Sequence, residues 1–526
     1  MLNKVEKTKK KIRINSTREI IVSHGVNEEF IRKESSVQID TIPEKIEIKE
    51  KIILEVAEVA AKNDFEVYIV GGYIRDYFLN RPRTDYDFTV VGNPLEFADL
   101  VAKKFNSKAV IFERFLTAMV PLKNGIQLEF VGTRKEEYQE NSRKPIVSNG
   151  TLEDDLKRRD FTINTMAASL NQPDRGKIID LFHGRADLKE KILRTPLEPN
   201  KTFEDDPLRM MRAARFASQL NFQIDNGTFN AIKKMSHRLK IISQERVSSE
   251  FLKILSSEKP SIGLNYLYEL DLLNKFFPDL QDLNGVEIRQ IGEKQVAHKD
   301  VFKHSLKVVD NISSESQNVW LRFAALIHDI AKPKTKRFIS SAGWTFHGHE
   351  EIGARMVEKI FRKFKFPMEQ AAYVEKLVRL HQRPMILVDL EITDSAIRRL
   401  AFQAGEALDD LFTLCKADIT TKNPNLSIKY LKNYDIVRKK VIGVQEKDKL
   451  KEFQSPVRGE EIMKICSLMP CKAVGILKSK IEDAILDGFI PNEYDASLEY
   501  FLMNKDSWLA EIDSKEKRFI NQDQRL

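Results

Sequence analysis

YIVGGYIRDYFLNRPRTDYDFTVVG, residues 68–92, decides how the chain is read. Residues 65–70 form a short β-rich run that ends at Gly71-Gly72, and residues 73–79 then carry helical spacing. Glycine lets the backbone come close to a ligand, and a helix start offers unpaired N–H groups to phosphate. Arg75 falls in the first turn, where its guanidinium adds charge-assisted bonds to the same anion. Residues 85–91 read as a second strand. Positions i and i+2 of a strand share a face, so Asp85 and Asp87 point the same way. Two adjacent carboxylates repel unless a cation lies between them. Mg²⁺, with its hard oxygen ligands and its affinity for substrate phosphates, is the expected ion. Two such ions ~4 Å apart would serve an attacking hydroxyl and a leaving oxygen.

Working outward, residues 127–131 are a third strand behind an Asn124-Gly125 turn. Glu129 on that strand is a candidate third carboxylate, with an ordinary exposed strand residue as the alternative. Strands interleaved with helices make residues 49–188 an α+β head with a mixed sheet. Residues 1–48 are a basic, weakly periodic arm. Beyond Leu188 the strand signals thin out. Helical spacing recurs at 207–220, 229–235, 246–255, 265–273, 301–312, 319–330 and 351–363. The expected architecture is therefore the head followed by all-α units: a neck at 189–290, a middle domain at 291–440 and a tail at 441–526. Residues 285–292 mark a break. The Lys/Glu-rich stretch 439–451 reads as a linker or a solvated helix.

Composition narrows the function classes. A chain of 526 residues exceeds one compact core, and 42% apolar residues exclude wholesale disorder. No apolar run approaches the roughly 18 residues of a membrane span. Residues 1–20 hold seven Lys/Arg and lack the apolar stretch of a secretory signal. Three cysteines, Cys415, Cys466 and Cys471, exclude a disulfide scaffold and point to a reducing cytoplasm. A net charge of +8 permits a polyanionic partner, although 78 acidic residues are interspersed with the 86 basic ones.

Gly-Gly-x-x-Arg-Asp followed by Asp85-Tyr86-Asp87 resembles the motif of the nucleotidyltransferase superfamily in its class II branch, the tRNA CCA-adding enzymes and bacterial poly(A) polymerases. The resemblance implies that Asp85 and Asp87 hold Mg²⁺ and that Gly71, Gly72 and Arg75 contact a triphosphate. Arg158-Arg159-Asp160-Phe161-Thr162-Ile163-Asn164 resembles the ribose-selecting motif of that family. Arg158 and Arg159 would reach the triphosphate or the sugar, and Asp160 and Asn164 the ribose hydroxyls. The stretch from Asp180 through Gly184 and Asp187 to Leu188 resembles the link from head to neck.

Glu204-Asp205-Asp206-Pro207-Leu208-Arg209 has two readings. Asp206 is a good N-cap and Pro207 suits a first helical position. Asp206 and Arg209 are also three apart and project together. Cytosine and adenine each offer an exocyclic amine to a carboxylate and a ring acceptor to arginine. Uracil and guanine would leave the carboxylate facing a carbonyl, at about 1–3 kcal/mol per buried group. The family's Glu-Asp-x-x-Arg pattern does this work, with Asp205 here in place of the glutamate. Arg212 and Arg215 would face the triphosphate or the next helix.

Most of the nine histidines lie between 298 and 381. His328-Asp329 follows an apolar run, with His304 upstream and His347, His349, His381 and Asp418 downstream. Imidazole and carboxylate together suit a divalent transition metal or Mg²⁺ that works on phosphoesters. The pattern resembles the all-helical HD phosphohydrolase superfamily. That resemblance implies His304, His328, Asp329 and Asp418 as ligands, with His349 and His381 extending the set and His347 the lesser candidate. Lys332, Lys334, Lys336 and Arg337 would hold phosphates or form an exposed turn. Residues 456–488 read as two helices joined by 468–472 and resemble the C-terminal element of the same enzymes, with Pro470-Cys471 where Pro-Gly is usual.

The expectation is a template-independent nucleotidyltransferase that adds CCA to the 3′ end of tRNA from CTP and ATP, with a phosphohydrolase middle domain acting on phosphate monoesters or 2′,3′-cyclic phosphates. The alternatives are a poly(A) polymerase or A-adding enzyme, an HD phosphohydrolase whose head only binds RNA, and a noncatalytic tRNA-binding protein.

Overall fold

A computed structural model describes residues 43–523 apart from Thr84, 138–145, 287, 292–293, 298–299, 340–342, 386–393, 421–422 and 449–454. The basic arm lies outside the described residues up to residue 42. Residues from Glu44 onward form one compact unit. The chain enters the head ahead of Lys49. Ile46 is buried, and its N–H donates to the Gly176 carbonyl.

The head is built on a seven-stranded mixed sheet. From edge to edge it runs Val110–Phe112, Thr117–Pro121, Gln127–Gly132, Tyr86–Val91, Glu66–Val70, Ala167–Ser169, Ile178–Ile179. All neighbours are antiparallel except the central pair Tyr86–Val91 and Gln127–Gly132, which is parallel. The three expected strands are its centre. The other four have only two to five residues each, too few to establish a period of two. Asn124-Gly125 turns the chain as expected, with Gly125 at φ +83°.

Strand alternation divides the two faces. Phe88, Val90 and Phe130 are fully buried and pack with Phe97 under helices Lys51–Lys62 and Pro94–Lys104. Asp87, Thr89 and Glu129 belong to the opposite face.

The remainder is mostly helical, with ribbons the spacing did not foretell. Ile192–Leu193 pairs with Gln223–Ile224, Ile288–Ile291 with Lys294–Ala297, and Arg337–Ile339 with Gly343–Thr345. Helix Leu208–Leu220 packs on Gln244–Leu255 and Pro260–Glu269. Phe251 of the neck meets Phe323, 6.4 Å between ring centroids, and Phe364 at 5.9 Å, so neck and middle domain share one aromatic core.

At this joint lies Arg322, fully buried. Its guanidinium donates to the carbonyls of Leu255, Ser257, Ser313 and Ser316 and to the Gln317 amide oxygen. Carbonyls left open at two helix ends are thereby satisfied. In the tail, Gly459–Cys466 and Lys472–Leu486 are the two expected helices. A third, Tyr494–Asp523, carries helix into the stretch after 505 that reads as a polar tail in the sequence. Residues 439–448 are helix, the end of Pro424–Asp448.

Candidate active site and metal centre

The head site begins at the parallel strand pair. Asp87 and Glu129 are direct register partners, and Asp85 lies one residue before the strand. Asp85 and Glu129 are exposed and Asp87 is half-buried. Burial raises the Asp87 carboxyl, and the neighbouring Asp85 charge adds to this. Arg159, Arg212 and Arg75 pull it back down. Glu129 is raised by partial desolvation and by the charges of Asp87 and Asp85. Two carboxylates raised by burial and by their acidic neighbours, with arginines around them, form a set that a divalent cation would relieve.

Gly71 has φ +68°, and a Cβ there would stand 2.9 Å from Arg159 Nη1. The bare backbone at this turn is what lets the Arg159 guanidinium lie against it. Arg75 donates to the Asn164 amide oxygen at 2.8 Å and pairs with Asp76 at 2.7 Å. Asn164 donates to Asp160, whose other carboxylate oxygen takes the Arg212 guanidinium at 2.6 Å. Burial pushes the Asp160 carboxyl up, but Arg212 and Asn164 override it and hold it down to about 2. Arg75, Arg212 and Arg215 all lie over the Phe216 ring, at 5.2, 5.3 and 4.3 Å. Three blocks far apart in the chain, around Arg75, Asp160 and Arg212, thus meet at one place.

The base-selecting pair is less simple. The Asp206 carboxylate caps the Leu208 N–H at 3.1 Å and pairs with Arg246 at 3.2 Å. Arg209 donates to the carbonyls of Thr202 and Arg158. The two side chains are therefore held by other groups. Arg215 turns onto Glu250 of helix Gln244–Leu255, 3.1 Å away, and both are buried. In the linking block, Asp180 accepts from the N–H groups of Gly184 and Arg185. A Cβ on Gly184 would stand 2.4 Å from the Thr162 carbonyl oxygen, so only glycine fits that contact.

The sequence reading missed Asp155 and Thr89. Asp155 is fully buried beneath Arg158 and Arg159, and Thr89 lies two residues along the strand from Asp87. The available signal was spacing, since Asp155 precedes the two arginines by three and four positions.

The second centre lies in the middle domain. His304 Nε2 is 2.7 Å from Asp418, His328 Nε2 is 3.2 Å from Asp329, and His349 Nε2 is 3.2 Å from the other Asp329 oxygen. His381 Nε2 is 3.9 Å from Asp329. His328, His349 and His381 each turn Nδ1 to a backbone carbonyl at 2.7 Å, those of Ala325, Phe346 and Val378. In the neutral ring, Nδ1–H donation to a carbonyl leaves Nε2 as a lone pair aimed inward, the tautomer a metal ligand needs once any Nε2 proton is displaced. His328 Nε2 and Asp329 Oδ2 are buried and face each other, with Lys332 Nζ against the same carboxylate oxygen. Two sets, His304–His328–Asp418 and His328–Asp329–His381, each bring their donor atoms within 4.8 Å of one another. These clustered imidazole and carboxylate donors fit a divalent metal. Burial opposes a charge on His328, but Asp329 and Asp418 raise it to about 9. His381 is pushed down to about 4 by burial and by His328. His347 is exposed. Lys332 Nζ lies 2.8 Å from Asp329, and Lys334 pairs with Asp279. Gln382, which the sequence reading passed over, contacts His349 Nε2 at 3.2 Å.

Family models match in the same order as these units. They are the poly A polymerase head domain over residues 67–194, the probable RNA and SrmB-binding site of polymerase A over 221–283, and the HD domain over 301–411. The CCA-adding enzyme of Ligilactobacillus salivarius is 39% identical over 257 residues, which are 48% of this chain and 60% of that protein. The multifunctional CCA protein of Pseudoalteromonas atlantica is 32% identical over 67% of this chain and 85% of its own length. The Bacillus stearothermophilus CCA-adding enzyme, solved in complex with CTP, shares the fold. Its TM-score is 0.59 and its identity 22%, over 88% of this chain and 100% of that one. The chain belongs to the family of CCA-adding tRNA nucleotidyltransferases that carry an HD domain. It is an enzyme of nucleotidyl transfer, and its two families are metal-dependent. No helix among the described residues is long and apolar enough to cross a membrane.

Proposed function

We propose that this enzyme adds C, C and A to the 3′ end of tRNA from CTP and ATP without a template, and that its HD centre hydrolyses phosphoesters. The convergence of Asp85, Asp87 and Glu129 with Arg75, Arg159 and Arg212 carries the reading. In the reaction the tRNA 3′-hydroxyl attacks the α-phosphorus and pyrophosphate leaves. Mg²⁺ held by Asp85 and Asp87, with Glu129 beside them, would supply Lewis-acid polarisation of the phosphate and the hydroxyl. The chain's own groups bind and orient. Gly71 and Gly72 bring bare backbone to the triphosphate, and Arg75, Arg158 and Arg159 neutralise it. Asn164 and Asp160 orient the ribose, held in turn by Arg75 and Arg212. Asp206 accepts the exocyclic amine of C or A and Arg209 donates to the ring acceptor, which rejects U and G. At the HD centre, His304, His328, Asp329 and Asp418, with His349 and His381, would hold a divalent transition metal or Mg²⁺. Three unpaired cysteines accord with a reducing cytoplasm.

A tRNA trimmed of its last three nucleotides tests the reading. CTP alone should extend it by two and CTP with ATP by three, whereas ATP alone should add nothing. Addition of A to the trimmed end would favour a poly(A) polymerase, and extension only of ends that already carry CC an A-adding enzyme. Asp87→Ala should lower incorporation by roughly a thousandfold or more, and full activity in that variant would remove the assignment of the metal ligands.

A further inference from the structure

The Asp155 carboxylate is a buried acid that accepts from four donor atoms. It accepts from Thr89 Oγ1 at 3.0 Å, from Arg158 Nε at 2.9 Å and a terminal Arg158 nitrogen at 2.5 Å, and from Arg159 Nη2 at 3.2 Å. Asp155 is 0% exposed. An acid so placed costs several kcal/mol unless its partners compensate, so its contacts are energetically committed. Arg158 and Arg159 hold it below the usual carboxylate range against the effect of burial.

Its position relative to the chemistry follows from strand alternation. Thr89 is two residues past Asp87 on the strand Tyr86–Val91, so both face the same side of the sheet. The hydroxyl that binds Asp155 therefore ties the acid to the face that carries the proposed metal ligands. On the other side, Arg159 reaches Gly71 with Nη1 and leaves Nε buried without a partner. It also draws down the Asp87 carboxyl. Adjacent guanidinium groups repel one another and are long and mobile when free. A single carboxylate beneath both offsets that repulsion and fixes their direction.

We propose that Asp155 is the positioning residue for the triphosphate. It orders Arg158 and Arg159 before the nucleotide arrives and sets their height above the Asp87 face through Thr89. Asp155 itself touches no substrate. The proposal rests on the reading that these arginines meet the triphosphate. It is distinct from the ribose contacts of Asp160 and from the metal ligands. Preordered donors bind the polyphosphate more tightly because their rotamer entropy is already lost.

Steady-state incorporation on trimmed tRNA separates the roles. Asp155→Asn keeps one acceptor but turns an amide N–H toward a guanidinium. It should raise KM for CTP and ATP by about tenfold and weaken product inhibition by pyrophosphate in parallel, with little change in KM for tRNA. Thr89→Val, a milder change, should shift the same two quantities by about twofold to threefold. A merely structural role would move kcat, tRNA affinity and thermal stability together and spare the pyrophosphate dependence. Should Asp155→Asn fail to fold, the Thr89→Val pair of shifts decides. Arg159→Ala separates the two readings. If it leaves nucleotide KM and pyrophosphate inhibition unchanged, the arginine's role in the proposed function fails. If it raises both while a folded Asp155→Asn or Thr89→Val changes neither, the positioning role of Asp155 is overturned.

Discussion

The two centres of this enzyme gather anionic side chains in opposite ways. In the head, Asp87 and Glu129 lie on neighbouring strands of a sheet with Asp85 just before the first of them, and two of the three are exposed. Arginines from three separate segments surround them. In the middle domain, four histidines and Asp329 come from helices and the turns that end them and are buried, with Lys332 alongside. Asp418 is the most accessible member, at 28% of its side chain. A polyphosphate brings its own charge and its own metal shell, so its site must be open and cationic. A resident metal needs fixed donors and little water, so its site is closed. The difference predicts that the centres fail independently.

The largest test of that independence is His328→Ala. It removes a Nε2 that both donor sets share. Hydrolysis of 2′,3′-cyclic phosphate should fall by about a thousandfold, and bound metal measured by elemental analysis should drop. CCA incorporation should stay near the parent level. Joint loss of both activities in a folded variant would show that the centres are coupled.

The next test concerns what joins them. Arg322→Met keeps the length of the side chain but strands the carbonyls of Leu255, Ser257, Ser313 and Ser316. Each buried unsatisfied group costs about 1–3 kcal/mol, with partial relief from water, so a loss of about 3 kcal/mol is expected in denaturant unfolding. Neck and middle domain should still unfold in one transition. Two separated transitions in the parent protein would contradict the shared aromatic core.

The smallest effect is electrostatic. Asp160 is held down to about 2 in the fold and returns to about 4 when unfolded. Its folded value is the lower one, so its contribution is complete above about pH 4. That contribution is lost as pH falls through about 2, and it amounts to about 2 kcal/mol. Acid unfolding of the parent should therefore be steeper between these values than that of Asp160→Asn. Parallel curves would remove Arg212 as the stabilising partner.

The head motif was legible because its information is local. Asp87 needs only the alternation of one strand, Asp85 lies just before that strand, and Gly71 needs only a turn. Glu129 was found by residue type, but its place opposite Asp87 depends on a parallel register set by the sheet. The helix after Asp206 starts at Leu208 with Pro207 as its N-cap, one place later than the sequence reading has it, although Asp206 still accepts from the Leu208 N–H; Arg246, its ion-pair partner, is 40 residues away. Asp155 looks in the sequence like one acid among several in an ordinary helix. Arg322 opens an otherwise apolar run and gives no sign that it is buried.

The sequence by itself therefore determined the family resemblance of the motif blocks, the three central strands of the head and most of the helices that follow, because those properties depend on spacing within one strand or helix. Only the tertiary structure decided that Arg75, Asp160 and Arg212 join one hydrogen-bonded cluster, that Arg215 is committed to Glu250, and that a hidden carboxylate lies under two arginines. Those contacts join residues far apart in the chain. Their energies come from burial and charge compensation, which no local pattern records.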